Sequence, residues 1–210
     1  MHVNRNDRGV TLIEVMIAII LMTIILVPLG NALIAFLRNT NETTARLSES
    51  HDVQISSAYF AQDVESTGTH DWTAYPYDLT QSVETNVAPT TGVHPCGLVG
   101  TPNALVRLAW DDPTVAVGSP TVVRVAYVVE TVGSERQLHR IACTTASLTP
   151  TSDLIVVHNL DSTNPTVTCS TTCGSAPDVP QSLTMTLVIK DPKDTGSALT
   201  IVLKGQRRQT

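Results

Sequence analysis

The sequence predicts an α+β protein, in which a long N-terminal membrane-spanning helix packs against a C-terminal antiparallel β-sheet domain. Three observations carry this prediction. An apolar run of about 28 residues follows a short polar start. A polar but helix-compatible segment, free of Gly and Pro, continues from there to Gly68. Beyond it, β-branched runs alternate with turn residues, a pattern typical of strands.

The first nine residues, MHVNRNDRG, are polar and carry a net positive charge. Residues 10–37 form the apolar run, and as a helix rising about 1.5 Å per residue they exceed the roughly 30 Å hydrocarbon core of a bilayer. Arg5 and Arg8 predict a cytoplasmic N-terminus, with the rest of the chain outside. The predicted organisation is a leader at 1–9, a helix at 10–66 and a β-rich head at 67–210.

A secretory signal peptide fits this run poorly, because its apolar region spans only about 7–15 residues before a small-residue cleavage site. An uncleaved single-span anchor is the simpler alternative. Glu14 argues against it, since a carboxylate near the centre of a membrane helix costs about 2.5–3.5 kcal/mol, and less near an end. An ionised Glu14 needs a partner, and cleavage after Gly9 would supply an ammonium at Val10, one helical turn away.

Residues 8–15, RGVTLIEV, followed by the apolar helix, resemble the class III signal of type IV prepilins and pseudopilins. The resemblance implies that a prepilin peptidase cuts after Gly9, that Val10 becomes the methylated N-terminus, and that Glu14 is the assembly carboxylate. It further implies that the helix forms a filament core. The implied partners are the peptidase, other pilins or pseudopilins, a membrane assembly platform and membrane lipid.

Pro28 and Gly30 interrupt the apolar run. Proline removes a helix hydrogen bond and clashes with the preceding turn, so we expect a kink or local melting there. One interpretation is a tolerated membrane-helix proline. The other, which the resemblance implies, is a segment that extends when subunits pack into a filament.

The second half of the helix is expected to pack on the head. Residues at helical spacing that could share one broad face are Leu47, Ile55, Ala58, Tyr59 and Gln62. The stretch from Ala58 to Gly68, with Asp63 after an apolar pair, also resembles the helix end of J-type minor pseudopilins and W-type minor pilins. That second resemblance implies a minor subunit.

The head is expected to begin with a long loop over residues 67–102, because this segment has little periodicity. Two hairpins follow, one from strands at 121–131 and 136–145 and the other from strands at 183–190 and 199–203. Residues 103–111 and 153–160 are further strand candidates.

Four cysteines fit two disulfides in an exported domain. Three pairings are possible, and the spacing favours Cys169 with Cys173, which leaves Cys96 to join Cys143. Zinc is an alternative, with His94 and His158 as extra ligands, but the spacing matches no familiar zinc pattern.

A Cys/His nucleophile is conceivable from Cys143 with His139 or from Cys169 with His158, yet nothing indicates a low-pKa thiol. The sequence also has no phosphate-binding loop. We therefore expect no enzyme, no metal and no cofactor.

Aromatic side chains are scarce, at 4% of the chain. They concentrate in the first part of the head, at His70, Trp72, Tyr75 and Tyr77. They could anchor contacts with a partner, or they could cover the sheet or the helix.

The formal net charge is -6, which gives no general electrostatic reason to bind nucleic acid. The predicted function is a minor pilin or pseudopilin of a type IV pilus or type II secretion-like filament, single-pass in the cytoplasmic membrane and then extracytoplasmic or at the cell surface. The alternatives are a major pilin, a membrane-anchored extracytoplasmic binding module that does not polymerise, and an exported enzyme.

Overall fold

The computed structural model describes residues 11–73, 75–112, 121–144, 148–174, 179–190 and 198–208. These residues form one long helix, α1 (Leu12–Ser66), and ten strands. The strands are β1 (Thr69–His70), β2 (Leu79–Thr80), β3 (Val83–Val87), β4 (Ala104–Asp111), β5 (Val122–Val132), β6 (Glu135–Cys143), β7 (Ser152–Val157), β8 (Thr166–Cys169), β9 (Ser182–Ile189) and β10 (Leu199–Gln206).

The chain divides into two compact units, Met1–Leu47 and Ser48–Thr210. Every residue from 11 to 47 whose burial the structure describes is exposed. The second unit holds the end of α1 and all the described strands, and it contains the hydrophobic core. The α+β class and the long apolar helix are thus confirmed.

The strands form three antiparallel sheets. The largest has the order β3-β4-β5-β6-β7, the second has the order β10-β9-β8, and β1 pairs with β2. The segment after β7 links the two larger sheets, because Asp161 donates its backbone N–H to the Val188 carbonyl and Lys190 donates to that of Asn159.

Both predicted hairpins are present. Strands β5 and β6 pair from Val132 with Glu135 to Arg124 with Cys143, so the turn is the two-residue Gly133-Ser134. The positive φ of 65° at Gly133 suits this tight connection. Strand β9 alternates partly and fully buried residues, as its sequence predicts, and pairs along its length with β10. The turn predicted at 191–197 lies outside the described residues.

The end of α1 packs on one face of the five-stranded sheet. Phe60 and Val64 are fully buried, and the Phe60 ring meets that of Tyr127 edge-on at 5.5 Å between centroids. On the neighbouring sheet, Gly205 lies against Val64. An added Cβ at Gly205 would stand 2.4 Å from the Val64 Cβ, so glycine allows the strand and helix to approach this closely.

The predicted packing face of α1 is wrong in part. Ile55 and Tyr59 pack against the core, but Leu47, Ala58 and Gln62 are exposed. The buried helical positions also include Asp52, Ser56 and Asp63. The apolar periodicity is misleading because two carboxylates are buried with distant partners, Asp63 with Arg140 on β6 and Asp52 with His158 just after β7.

The long loop predicted at residues 67–102 is also wrong in part, since β1, β2 and β3 lie within it. Strand β3 was not predicted because Val83 and Glu84 are both buried, so apolar and polar residues do not alternate as they do in a half-buried strand. The residues between β3 and β4, 88–103, cover the sheet face opposite α1. We call this segment the flap.

Strand β8 was not predicted. It has only four residues, two of them Thr, in a segment rich in Pro, Ser and Thr, and it forms the edge of its sheet. Strand β8 is positioned by its pairing with β9, and this pairing cannot be recognised from the local sequence pattern.

Candidate functional site: the exposed N-terminal helix

Helix α1 begins just before the one carboxylate of its apolar half. Thr11 precedes the helix, and the Glu14 backbone N–H donates to the Thr11 carbonyl at 3.1 Å and faces its hydroxyl at 3.4 Å. Thr11 and Glu14 therefore have the spacing of a capping box, in which a first-turn acid favours the positive end of the helix dipole. Glu14 itself is exposed. Gly9 and Val10 lie outside the described residues.

The apolar half of α1 is exposed wherever the structure describes its burial. Its large apolar side chains from Leu12 to Leu37 expose between 47% and 81% of their surface. They are distributed around the whole helix rather than along one stripe, and residues 15–37 include no charged side chain. A helix of this kind is stable only when lipid or other protein surrounds it.

This is a helix long and apolar enough to cross a membrane, and the described part of the chain has one such helix. Its 23 uncharged residues, 15–37, span about 34 Å, against roughly 30 Å of hydrocarbon. The Thr23 hydroxyl donates to the Ile20 carbonyl at 2.8 Å, which hides its polarity. These features are those of a membrane anchor.

Helix α1 continues through Pro28 and Gly30 without interruption. A bend of its axis at Pro28 stays a prediction. Apart from the backbone of α1 itself, no described residue comes within 4 Å of a Cβ added at Gly30, so no packing contact among the described residues requires glycine there. The space beside Gly30 is open to a neighbouring molecule.

A buried ion pair ties the end of α1 to the five-stranded sheet. Asp63, with 2% exposure, accepts hydrogen bonds from Arg140 Nε at 2.8 Å and Nη2 at 2.7 Å, and from the Tyr127 hydroxyl at 2.7 Å. The Arg140 guanidinium also lies 4.9 Å from the centre of the Tyr59 ring. Burial, with the nearby Asp63 charge, raises the pKa of Tyr127. Burial alone would lower the pKa of Arg140, but the hydrogen bonds to the Asp63 carboxylate outweigh the effect of burial, so that the pKa of Arg140 is raised.

A second carboxylate joins α1 to the segment after β7. Asp52 accepts the backbone N–H of His158 at 2.8 Å and faces its ring Nδ1 at 3.0 Å. Sequence periodicity misses this pair and the Asp63 cluster. The signal that points to them is an acidic residue on the helix together with a basic residue in the β-rich part of the chain. This signal becomes specific only when the fold shows which residues are neighbours.

All four cysteines form disulfides, Cys96–Cys143 and Cys169–Cys173, the pairing favoured from the spacing. No thiol is free, so neither proposed Cys/His nucleophile is present in this state.

The histidines offered as extra zinc ligands have other partners. His94 Nε2 donates to the Gln81 carbonyl at 2.7 Å, and His158 bonds Asp52. Within the described residues, no three side chains of His, Cys, Asp or Glu group as metal ligands.

The predicted aromatic cluster forms a loop between β1 and β2. His70 is fixed by Asp111 at 2.8 Å, and the Trp72 ring lies between those of His70 and Tyr77. Tyr75 is 86% exposed. The Tyr75 ring therefore faces solvent, whereas His70 contacts the sheet through Asp111 on β4.

Comparison with known families identifies a motif that includes Glu14 and much of the apolar run. The family model for the prokaryotic N-terminal methylation motif matches residues 4–30. The match covers Arg5, Arg8, Glu14 and most of the apolar run, to Gly30. Searches of curated proteins and of solved structures give no match.

Proposed function

We propose that this chain, which carries the type IV prepilin-like N-terminal signal, is a minor pilin or pseudopilin of a type IV pilus or type II secretion-like filament. The observation that carries the proposal is the coincidence of this signal with a fully exposed apolar helix. A prepilin peptidase cuts after Gly9, Val10 is methylated, and the helix passes from the membrane into contact with other pilins or pseudopilins.

The charge distribution supports the orientation. Arg5 and Arg8 precede the apolar helix, and the next basic residue is Arg38, after it. By the positive-inside rule, the leader stays in the cytoplasm and the head is extracytoplasmic. A membrane assembly platform and a separate motor then supply the work of extracting the helix.

Glu14 has the central role in assembly. A carboxylate at this depth is costly to desolvate, and cleavage after Gly9 creates an ammonium one turn before it. That ammonium belongs either to the same chain or to a neighbour. The capping-box spacing of Thr11 and Glu14 would also give the Glu14 side chain a purely structural role, so the experiment has to separate charge from capping.

Glu14→Gln separates the two roles, because glutamine still serves in a capping box but carries no charge. We expect sheared filaments to lose this subunit while the membrane level of the processed chain is unchanged. Thr11→Ala is the matched control, which weakens the cap, at about 1 kcal/mol, and keeps the charge. Normal incorporation of the Glu14→Gln subunit would contradict the proposal.

The second candidate function is a membrane-anchored binding module that does not polymerise. The exposed Tyr75 in its aromatic loop favours this alternative. In that case Tyr75→Ala abolishes ligand binding by membranes that contain the chain, and Glu14→Gln has no effect.

A further inference from the structure

The aromatic loop between β1 and β2, residues 71–78, is fixed at its base. The Asp71 backbone N–H donates to the Asp78 carbonyl at 2.9 Å, which continues the β1–β2 pairing by one residue. The Asp71 carboxylate accepts the Thr73 backbone N–H at 2.9 Å and also the Thr73 hydroxyl. Just before the loop, His70 bonds Asp111 on β4. A loop held in this way loses little conformational entropy when a partner binds to it.

The rings of the aromatic loop contact one another and leave one ring open to solvent. The Tyr77 ring lies 5.3 Å from that of Trp72 and meets the Tyr75 ring edge-on at 5.7 Å, both measured between centroids. Tyr75 is 86% exposed and Tyr77 is 39% exposed. The rings are too close together to enclose a ligand between them. A ligand therefore has access to an outer ring face rather than to a cage.

Two carboxylates flank these rings without a basic side chain beside them. Asp71 and Asp78 are both exposed, and they lie opposite each other, where like charges are unfavourable. The hydrogen bonds from Thr73 lower the pKa of Asp71, so that this carboxylate is ionised at neutral pH. No hydrogen bond or ion pair joins the Asp78 side chain to another described residue. The sequence has no Lys or Arg between Arg46 and Arg107. The loop therefore favours a cation.

The head itself shows which cation combines a tyrosine ring with a carboxylate. The Arg140 guanidinium lies 4.9 Å from the centre of the Tyr59 ring and bonds both oxygens of Asp63. A planar guanidinium can lie on a ring face and pair with a carboxylate at the same time, whereas an ammonium has no flat face. The aromatic loop offers the same two groups at its surface. Within the described residues, no arginine of this chain occupies them.

We propose that the aromatic loop binds an arginine side chain of a partner protein, with the guanidinium against the Tyr75 ring and beside the carboxylates of Asp71 and Asp78. A neutral saccharide would leave these two charges uncompensated, and a phosphate-bearing ligand would be repelled by them. This inference goes beyond the proposed function and does not depend on it, because the loop belongs to the head and can bind whether or not the chain enters a filament.

The test measures binding of a short peptide to the full-length chain in a non-ionic detergent. The probe is the end-capped, fluorescently labelled peptide Gly-Arg-Gly-Arg-Gly, followed by fluorescence anisotropy. In two matched peptides, lysine or the uncharged isostere citrulline replaces each arginine. We expect the arginine peptide to bind about tenfold more tightly than the citrulline peptide and about threefold more tightly than the lysine peptide. Equal affinities for arginine and citrulline, or for arginine and lysine, would overturn the proposal.

Variants of Tyr75 test whether the ring takes part. Tyr75→Ala should weaken binding of the arginine peptide about fivefold, because the ring face is lost. Tyr75→Phe keeps that face and should bind as the unmodified chain does. Since Tyr75 is largely exposed, both variants should retain the two disulfides and the near-ultraviolet circular dichroism of the head. Unchanged binding by a folded Tyr75→Ala chain would contradict the proposed contact.

A second pair of variants separates a local charge from the net charge of the head. Asp78→Asn should weaken binding about threefold. Glu130→Gln removes the same charge near the far end of β5, about 26 Å along the strand from Val122, the residue that pairs with Asp111. It should leave binding unchanged. Equal losses from the two variants would mean that the peptide senses only net charge, and would contradict the site.

Competition distinguishes an arginine site from a site for another ligand class. Neither cellobiose nor phosphocholine, added in excess, should displace the arginine peptide. Displacement by cellobiose would reassign the loop to a saccharide, and displacement by phosphocholine would reassign it to a lipid headgroup; either result would overturn the proposal. Because the chain is not assembled in this measurement, failure here leaves the filament role untouched, and loss of the filament role leaves this site standing.

Discussion

Asp63 shows how a single polar residue can fix the end of a long helix. It is buried, and its partners Arg140 and Tyr127 lie on two neighbouring strands. In the structure its side chain is occupied within the head, so its first effect is on the stability of the fold.

Asp63→Asn should lower the free energy of unfolding by about 3 kcal/mol, because it leaves the Arg140 charge buried without a counter-ion. Glu65→Gln is the matched control. Its partner Arg208 is 83% exposed, so that loss should stay below about 1 kcal/mol. Urea unfolding of the full chain in detergent, followed by near-ultraviolet circular dichroism, measures both. Equal losses for the two variants would show that burial of the Asp63 pair does not matter.

His94 gives the flap a predictable response to pH. Burial lowers its pKa below the ordinary value of 6.5, although the bond to the Gln81 carbonyl and the Glu84 charge act in the opposite direction. Arg107 and Arg124 add to the lowering. Because the folded pKa is depressed, the neutral ring contributes stability that is complete above pH 6.5 and is lost as the pH falls through the folded value.

We therefore expect the stability advantage of the unmodified chain over His94→Gln to shrink as the pH is lowered from about 8 to about 5. Glutamine keeps a donor toward the Gln81 carbonyl but does not titrate, so the difference isolates the imidazole. Unfolding by urea at each pH is the measurement. A difference that stays constant across this range would mean that the folded pKa is not depressed.

At the scale of elements, the sequence predicts those helices and strands whose apolar residues recur at a regular spacing. The long helix, the β5–β6 hairpin and the β9–β10 hairpin follow from periodicity and turn residues. Strand β3 and the buried face of α1 do not, because Glu84, Asp52 and Asp63 occupy buried positions. Their burial depends on partners distant in the sequence, and a local pattern cannot show them.

The contact of α1 with β10 depends on the absence of a side chain at Gly205. Gly205→Ala should lower the free energy of unfolding by about 1–3 kcal/mol, because its Cβ would overlap Val64. Val64→Ala has a cost of its own but removes the overlap, so the double variant should lose less than the sum of the two single variants. Strict additivity in the same urea experiment would contradict the packing.

The control for this pair is Gly30→Ala, since no described residue outside the local backbone of α1 lies within 4 Å of the position that its Cβ would take. Unfolding of the head should be unchanged by it.

At the scale of the whole molecule, the candidate site was largely predictable and the head's surface was not. The leader, Glu14 and the apolar run are contiguous in the sequence, so their pattern and the methylation-motif match coincide at residues 4–30. The flap is different. Its conformation is held by contacts with Glu84, Arg107 and Cys143, which only the fold brings to it.

Processing at Gly9 is the step on which the proposed function depends, and it can be measured directly. The intact mass and N-terminal sequence of the membrane-extracted chain should be determined with and without active prepilin peptidase. We predict a chain that begins at Val10 and carries an added methyl group only when the peptidase is active. A chain that still begins at Met1 or His2 in the presence of active peptidase would contradict the proposal and leave a single-span anchored head.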